Sequence, residues 1–223
     1  MPVFFFSYGE NEERYLKKAI TSNLMQTHSN FVFYIILDGY FPEAEKIIQN
    51  HADQDERIVF IKQDHMGLTK SLNMVLERIE EPFIARHDAD DFSSPNRIER
   101  LLDAIIKHDK IGVVGDNYGV VNIMGHLTHI NTADPENQRI DKLAGTIAGA
   151  SLFRTKAIKE IGGWKYKYAQ DFYMLVSMRK RNWILKTLKE TLYFYRLHKN
   201  QISQAVRSQQ KVCHRAIVEK ECK

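Results

Sequence analysis

The sequence predicts an α/β protein built on an open, mostly parallel sheet with helices on both faces. Strand-length apolar runs alternate with amphipathic helical segments from residue 3 to about residue 118. The runs are near-continuously apolar, as in strands covered on both faces, rather than strictly alternating. At 223 residues and 43% hydrophobic content, the chain can bury one substantial core.

The elements follow in order. "VFFFSY" reads as the first strand and "ERYLKKAITSNLMQ" as the helix after it. "FVFYIIL" is the second strand, closed by Asp38, and "PEAEKIIQNHA" its helix. "RIVFIKQ" and "LTKSLNMVLERI" repeat the unit, and "PFIARH" is a fourth strand. "PNRIERLLDAIIKH" is a helix that Ser94 can cap, with Pro95 at its first position and Ile98, Leu101, Leu102 and Ile105 recurring at helical spacing. "IGVVGDNY" is the next strand. Beyond it the alternation weakens, and "INTADPENQRIDKLAG" reads as a loop or helical excursion. The expectation is one domain over residues 1–203, with a nucleotide-binding half to about 110 and an acceptor half over 111–203. Residues 204–223 form a basic C-terminal helix bearing Val206, Val212 and Ile217.

Composition narrows the function classes. The longest apolar run, "FVFYIIL", falls far short of the roughly 18 residues of a membrane span. The N-terminus has neither a basic region nor a cleavage site, so a cytoplasmic chain is expected. The two cysteines, Cys213 and Cys222, sit together in the last polar stretch and make no disulfide framework. His126 and His129 of "GHLTH" are too sparse a set to imply structural zinc. The net charge of +4 hides an asymmetry: residues 1–145 hold 15 Lys/Arg against 23 Asp/Glu, whereas 146–223 hold 17 against 5. The acidic half suits cations. The basic half suits phosphate or an anionic membrane, unless its lysines are only a solvated surface.

Chemistry concentrates in "FIARHDADDFSSPNR", where Asp88, Asp90 and Asp91 crowd the end of a strand. Like charges this close need a positive partner. Asp-x-Asp alone is weak, and a second match, Asp53 to Asp55, lies in a polar surface stretch. Only the first follows a buried strand, and in open α/β sheets ligands bind outside the carboxyl ends of strands, where Asp38 also lies. Oxygen ligands suit Mg²⁺ or Mn²⁺ shared with substrate phosphates. The plainer alternative is that Asp91 or Ser93 caps the helix and Asp88 pairs with Arg86 or Arg97.

Several motifs in linear order resemble family 2 glycosyltransferases, in particular small bacterial enzymes of polysaccharide and lipopolysaccharide assembly. They are Gly67-Leu68-x-x-Ser71-Leu72-Asn73, Ala85-Arg86-x-Asp88-Ala89-Asp90-Asp91, Pro95-x-Arg97, Gly162-Gly163-Trp164, Gln170-Asp171-Phe172 and Tyr195-Arg196-x-His198-x-x-x-x-Ser203. The resemblance runs from residue 3 to 203 and implies the GT-A fold and a metal-dependent, inverting transfer of one sugar from a nucleotide sugar, a UDP-sugar by expectation. It implies that Ser7, Tyr8, Asp38, Arg86, Asp88 and Arg196 bind the nucleotide, that Asp90, Asp88 and His198 hold Mn²⁺ or Mg²⁺, and that Asp171 is the catalytic base. The acceptor would be a glycan or lipid-linked glycan. The basic tail would either rest on the inner face of the plasma membrane or pack on the domain. No nucleic-acid partner is implied.

This chain departs from the family at three places: Leu37 stands before Asp38 where an acid is usual, Gln170 replaces the Glu before the base, and Tyr8-Gly9-Glu10 lacks the common Asn. Two rivals follow. One is a catalytically inactive sugar-nucleotide-binding or scaffold subunit. The other is a sugar nucleotidyltransferase, for which the Gly-rich loop after the first strand is missing. "KRNW" lacks the order of the processive synthases' Gln-x-x-Arg-Trp, so one sugar per acceptor is expected.

Overall fold

The structure, a computed structural model, describes residues 2–8, 13–143, 150–199 and 207–221. The first half alternates strand and helix as the periodicity requires: β1 (Pro2–Tyr8), α1 (Glu13–Leu24), β2 (Val32–Asp38), α2 (Pro42–Ala52), β3 (Ile58–Gln63), α3 (Leu68–Arg78) and β4 (Phe83–Arg86). Then come the two-residue β5 (Phe92–Ser93), α4 (Arg97–Ile105) and the long β6 (Ile111–Val121). These lead to β7 (Leu127–Asn131), β8 (Leu152–Arg154), α5 (Thr155–Glu160), α6 (Gln170–Lys180), β9 (Ile184–Arg196) and α7 (Arg207–Glu221). The stretch expected to be a loop or helical excursion, residues 130–145, takes in the end of β7 and a 3-10 turn at Ile140–Lys142, and its residues 144 and 145 lie outside the described ones.

The nine strands among the described residues form one sheet in the order β3-β2-β1-β4-β8-β6-β9-β5, with β7 paired to β6. β3, β2, β1 and β4 are parallel, joined by helices as such pairs must be. Antiparallel pairing enters at β8, which lies between β4 and β6, while β6 and β9 run parallel.

Two cores lie on opposite faces. Phe33, Ile35 and Leu37 of β2 point to one, with Leu16 and Ile20 of α1, Ala44 and Ile48 of α2, and Leu101 and Ile105 of α4. Ile36 points to the other, with Leu72 and Val75 of α3, Ala157 of α5, Trp164, and Phe172 and Val176 of α6. The same period of two separates Ile84 from Ala85 and Val113 from Val114. On α7, Ile217 is buried in the second core with Cys213 and Val218 against it, while Val212 faces solvent. Burying one such isoleucine stabilises the docked helix by about 1.5–3 kcal/mol. Val206 and Cys222 lie outside the described residues.

One helix start differs from expectation. α4 begins at Arg97, and Ser94 and Pro95 form a turn closed by the Arg97 N–H donating to the Ser94 carbonyl (3.1 Å). The cap comes from a distant side chain: Gln26 Oε1 accepts the Ile98 N–H (2.9 Å) while its Nε2 donates to the Ser94 carbonyl (2.8 Å). Gln26 thus satisfies one first-turn donor of the helix that Ser94 was expected to cap.

Candidate active site

The carboxyl ends of the parallel strands set the site. β2 ends in Asp38, which is buried and accepts the N–H of Met66 (2.7 Å), the N–H of Gly67 (2.8 Å) and Gln63 Nε2 (2.7 Å). Those bonds hold the turn that opens α3, where Gly67 takes φ +88°, a left-handed value that favours glycine. Asp38 therefore stands in the crevice as a brace, with His65 Nδ1 3.3 Å from its carboxylate. The side chains of Ser7 and Tyr8 lie outside the described residues; their backbone ends β1 in register with Ile36 and Leu37.

α3 in turn positions a distant loop. Asn73 Nδ2 donates to the Trp164 carbonyl (2.8 Å), and its Oδ1 accepts the Trp164 N–H (2.9 Å), as a strand neighbour would. Thr69 Oγ1 donates to the Tyr166 carbonyl (2.6 Å). Gly163, at φ +76°, lies so close to Asn73 that a Cβ would fall 2.4 Å from its Oδ1. The Ser-Leu-Asn and Gly-Gly-Trp motifs are therefore two sides of one contact, which delivers the chain to the first turn of α6 and hence Asp171.

Asp171 meets the end of β4 there. Arg86 Nη1 donates to Asp171 Oδ1 (2.7 Å) and Nη2 to Asp88 Oδ1 (2.6 Å), so one guanidinium bridges acids 83 positions apart. Arg86 is buried, whereas the side chains of Asp88 and Asp171 are 33% and 39% exposed and open outward. Burial alone would lower the Arg86 pKa, but the fields of Asp171 and Asp88 outweigh it and raise it. Asp88 is held above the ordinary carboxylate value by desolvation, which exceeds the pull of Arg86, with Asp90 and Asp171 adding to the rise.

Asp90 faces the other way. Its Oδ2 lies 2.9 Å from His198 Nε2, and its carbonyl accepts Arg196 Nε (2.9 Å). Arg196 also donates through Nη1 to the carbonyls of Asn122 (3.3 Å) and Ile123 (3.1 Å), and its guanidinium lies over the Tyr15 ring. The structure thus brings Arg86, Asp88, Asp90, Asp171, Arg196 and His198 into one cluster. Asp38 instead bonds to Gln63, His65, Met66 and Gly67.

Three further residues around the cluster take partners that the sequence does not indicate: Asp91 does not cap α4, and Arg97 pairs with Asp116 instead of Asp88. Asp91 is buried, accepting the Tyr193 hydroxyl (2.5 Å) and the Arg196 N–H (2.7 Å). Desolvation, reinforced by Asp90 and Asp88, pushes its pKa well up, and desolvation likewise raises Tyr193. His87 is buried between the Asp88 carbonyl (2.8 Å) and Ser93 Oγ (3.0 Å), and desolvation, aided by Arg97, lowers its pKa to about 3, so it is a neutral brace. Arg97 forms a fully buried pair with Asp116 (2.8 Å) and lies against the Tyr193 ring. The only hint in the sequence is the alternation that buries Asp91 and Ser93 on either side of Phe92.

The profile of Glycosyl transferase family 2 matches residues 7–162. The chain belongs to this family. It is 38% identical over 205 residues to an uncharacterised glycosyltransferase of Methanocaldococcus jannaschii, covering 87% of this chain and 70% of that one. It is 23% identical over 209 residues to glycosyltransferase GlyA of Streptococcus pneumoniae, covering 86% of this chain but 30% of the relative. Among solved structures, the mannosyltransferase PcManGT of Pyrobaculum calidifontis with GDP-Man and Mn²⁺ aligns at a TM-score of 0.75 and 12% identity, over 98% of this chain and 64% of that one. S. aureus TarS with UDP-GlcNAc aligns at 0.72 and 16% identity, over 92% and 61%. The fold of this family 2 chain is accordingly GT-A, and the chain spans under two thirds of those solved structures.

Proposed function

We propose that the chain transfers one sugar from a nucleotide sugar to a hydroxyl of a glycan or lipid-linked glycan, with inversion at the anomeric carbon. The observation that carries this reading is the Arg86 bridge between Asp171, the base in this reading, and Asp88 of the aspartate loop, which would face the diphosphate. UDP is the expected nucleotide, although the two aligned structures hold UDP-GlcNAc and GDP-Man.

The donor set fits a divalent cation. Among the described residues no group of three His, Cys, Asp or Glu side chains is arranged to hold a metal alone. Asp90 and His198, 2.9 Å apart with Asp88 nearby, nevertheless offer the one or two carboxylates that Mg²⁺ or Mn²⁺ usually takes when phosphate oxygens complete the shell. Bound there, the cation would supply Lewis-acid stabilisation of the departing diphosphate. The chain's own residues do the rest. Asp171, partly exposed at the start of α6, takes the proton of the acceptor hydroxyl. Arg86 holds that carboxylate in place, and Arg196 fixes the Asp90 backbone through its carbonyl. Attack from the Asp171 side, opposite the diphosphate, inverts the configuration.

Among the described residues no helix is long and apolar enough to cross a membrane, and a lipid-linked acceptor would be met through surface contact with the inner face of the membrane. The test is calorimetric titration of UDP, with GDP and dTDP beside it, in Mn²⁺ and in EDTA, on the parent and on Asp90→Asn, followed by transfer assays. Metal-dependent UDP binding lost in the variant supports the reading. Tight binding with no turnover on any sugar or acceptor would instead favour a sugar-nucleotide-binding subunit, in line with the Gln170 departure.

A further inference from the structure

We infer that Asp91, a buried carboxylate beside the cluster that the proposed chemistry does not use, is a positioning residue: it sets the geometry of the Asp90–His198 pair and with it the cation affinity of the site. The inference rests on reading that pair as cation donors.

Asp90 and His198 are 108 positions apart, and nothing local brings them to 2.9 Å. The second donor, His198, follows the end of β9 by two residues, and that strand end is fixed where Asp91 grips it. Asp91 Oδ1 accepts the N–H of Arg196, two residues before His198 (2.7 Å), and Oδ2 accepts the Tyr193 hydroxyl (2.5 Å). The grip is reciprocal, since Arg196 Nε returns to the carbonyl of Asp90 (2.9 Å). Asp91 is the residue next to Asp90, and Arg196 is two residues before His198. The carboxylate thus joins the peptide that carries one donor to the strand end that leads to the other.

These bonds are not needed to hold the strands together. Phe92 and Ser93 pair with Phe194 and Tyr193, the Ser94 N–H donates to the Leu192 carbonyl (2.8 Å), and the Phe92 and Phe194 rings stack at 4.8 Å. Those contacts remain if the Tyr193 hydroxyl is removed. A metal site, by contrast, responds to donor shifts of a few tenths of an ångström. Partners that orient ligands typically change affinity by about 10–100-fold when lost.

The test uses Tyr193→Phe, Asp91→Asn, His198→Ala and the double variant Asp91→Asn/His198→Ala. Mn²⁺ affinity is measured in saturating UDP by the electron-spin-resonance signal of free Mn²⁺, with thermal melts in EDTA to report folding. Asp91→Asn should weaken Mn²⁺ by about 10–100-fold and Tyr193→Phe by less, in the same direction. In the His198→Ala background Asp91→Asn should change it by less than about twofold, because the effect acts through a pair already broken. If Tyr193→Phe and Asp91→Asn fold and bind Mn²⁺ like the parent, or if the Asp91→Asn effect persists in full without His198, Asp91 is only a fold brace and the inference falls. If the parent takes up no Mn²⁺ with UDP, the reading of the pair as cation donors falls and carries this inference with it.

Discussion

The chain carries Asp-x-Asp twice, and the structure puts the two copies to different uses. Asp53 closes α2, its Oδ1 accepting Gln49 Nε2 (2.7 Å), and Asp55 takes Arg57 through both oxygens just before β3 begins. Asp88 and Asp90 come just after β4 ends. In a parallel sheet these are opposite edges, and only the carboxyl edge opens into the ligand crevice. The charges respond in opposite senses. The hydrogen bond from Arg57 lowers the Asp55 pKa, whereas desolvation raises that of Asp88 despite Arg86. Asp55 is thus settled by its own neighbour two residues away. Asp88 also has a neighbour two residues away, Arg86, but that guanidinium joins it to Asp171, 83 positions on, and Asp90 is bonded directly to His198, 108 positions on.

The largest effect should separate the two copies by catalysis. Asp171→Asn should lower turnover by about 10²–10⁴-fold, the usual contribution of a general base, and Asp90→Asn should fall in the same range. The double variant Asp53→Asn/Asp55→Asn should transfer sugar within about twofold of the parent. Initial rates with the best donor found by calorimetry decide it. A folded Asp171→Asn with near-parent turnover would remove the base assignment, and a collapse of turnover in the Asp53/Asp55 variant would break the comparison itself.

A second contrast concerns burial. Arg97 and Asp116 are both fully buried, and Arg97 also donates to the Ala150 carbonyl (2.6 Å), while Asp116 accepts the Leu192 N–H (3.1 Å). Removing one partner strands the other charge, so Arg97→Met should cost about 3–5 kcal/mol. Urea unfolding would show this as a lower midpoint. A loss under about 1 kcal/mol would mean that Asp116 finds another partner or becomes neutral.

The parts legible in the sequence are those settled by local rules. α2 runs from Pro42 to Ala52 as its pattern reads, and Asp38 and Asp88 fall at or just past strand ends, because period and boundary chemistry act within a few residues. What local rules do not contain is partnership across the chain. Gln26 capping α4 in place of Ser94, Asn73 holding Trp164, and Asp91 bound to Tyr193 each join residues more than 70 positions apart. A residue's role in such a contact depends on sheet order, and the insertion of β8 between β4 and β6 has no periodic signature. The aspartate cluster is legible by composition, but the partner each carboxylate takes depends on where the end of β9 lies.

The smallest effect tests the outer copy by its charge. Arg57 and Asp55 are about one-quarter exposed, so their pair should contribute no more than about 1 kcal/mol. The sign follows from the lowered pKa of Asp55. A carboxylate that ionises more readily when folded stabilises the native state above its unfolded pKa, near 3.8, and loses that contribution as pH falls through the lower folded value. Urea unfolding of the parent and Asp55→Ala at pH 7 should therefore differ by up to about 1 kcal/mol, and the gap should shrink steadily below about pH 4. A gap that stays constant into acid would mean that the backbone bond from Arg57 to Asp55 Oδ1, which does not need a charged carboxylate, supplies the stability instead of the ion pair.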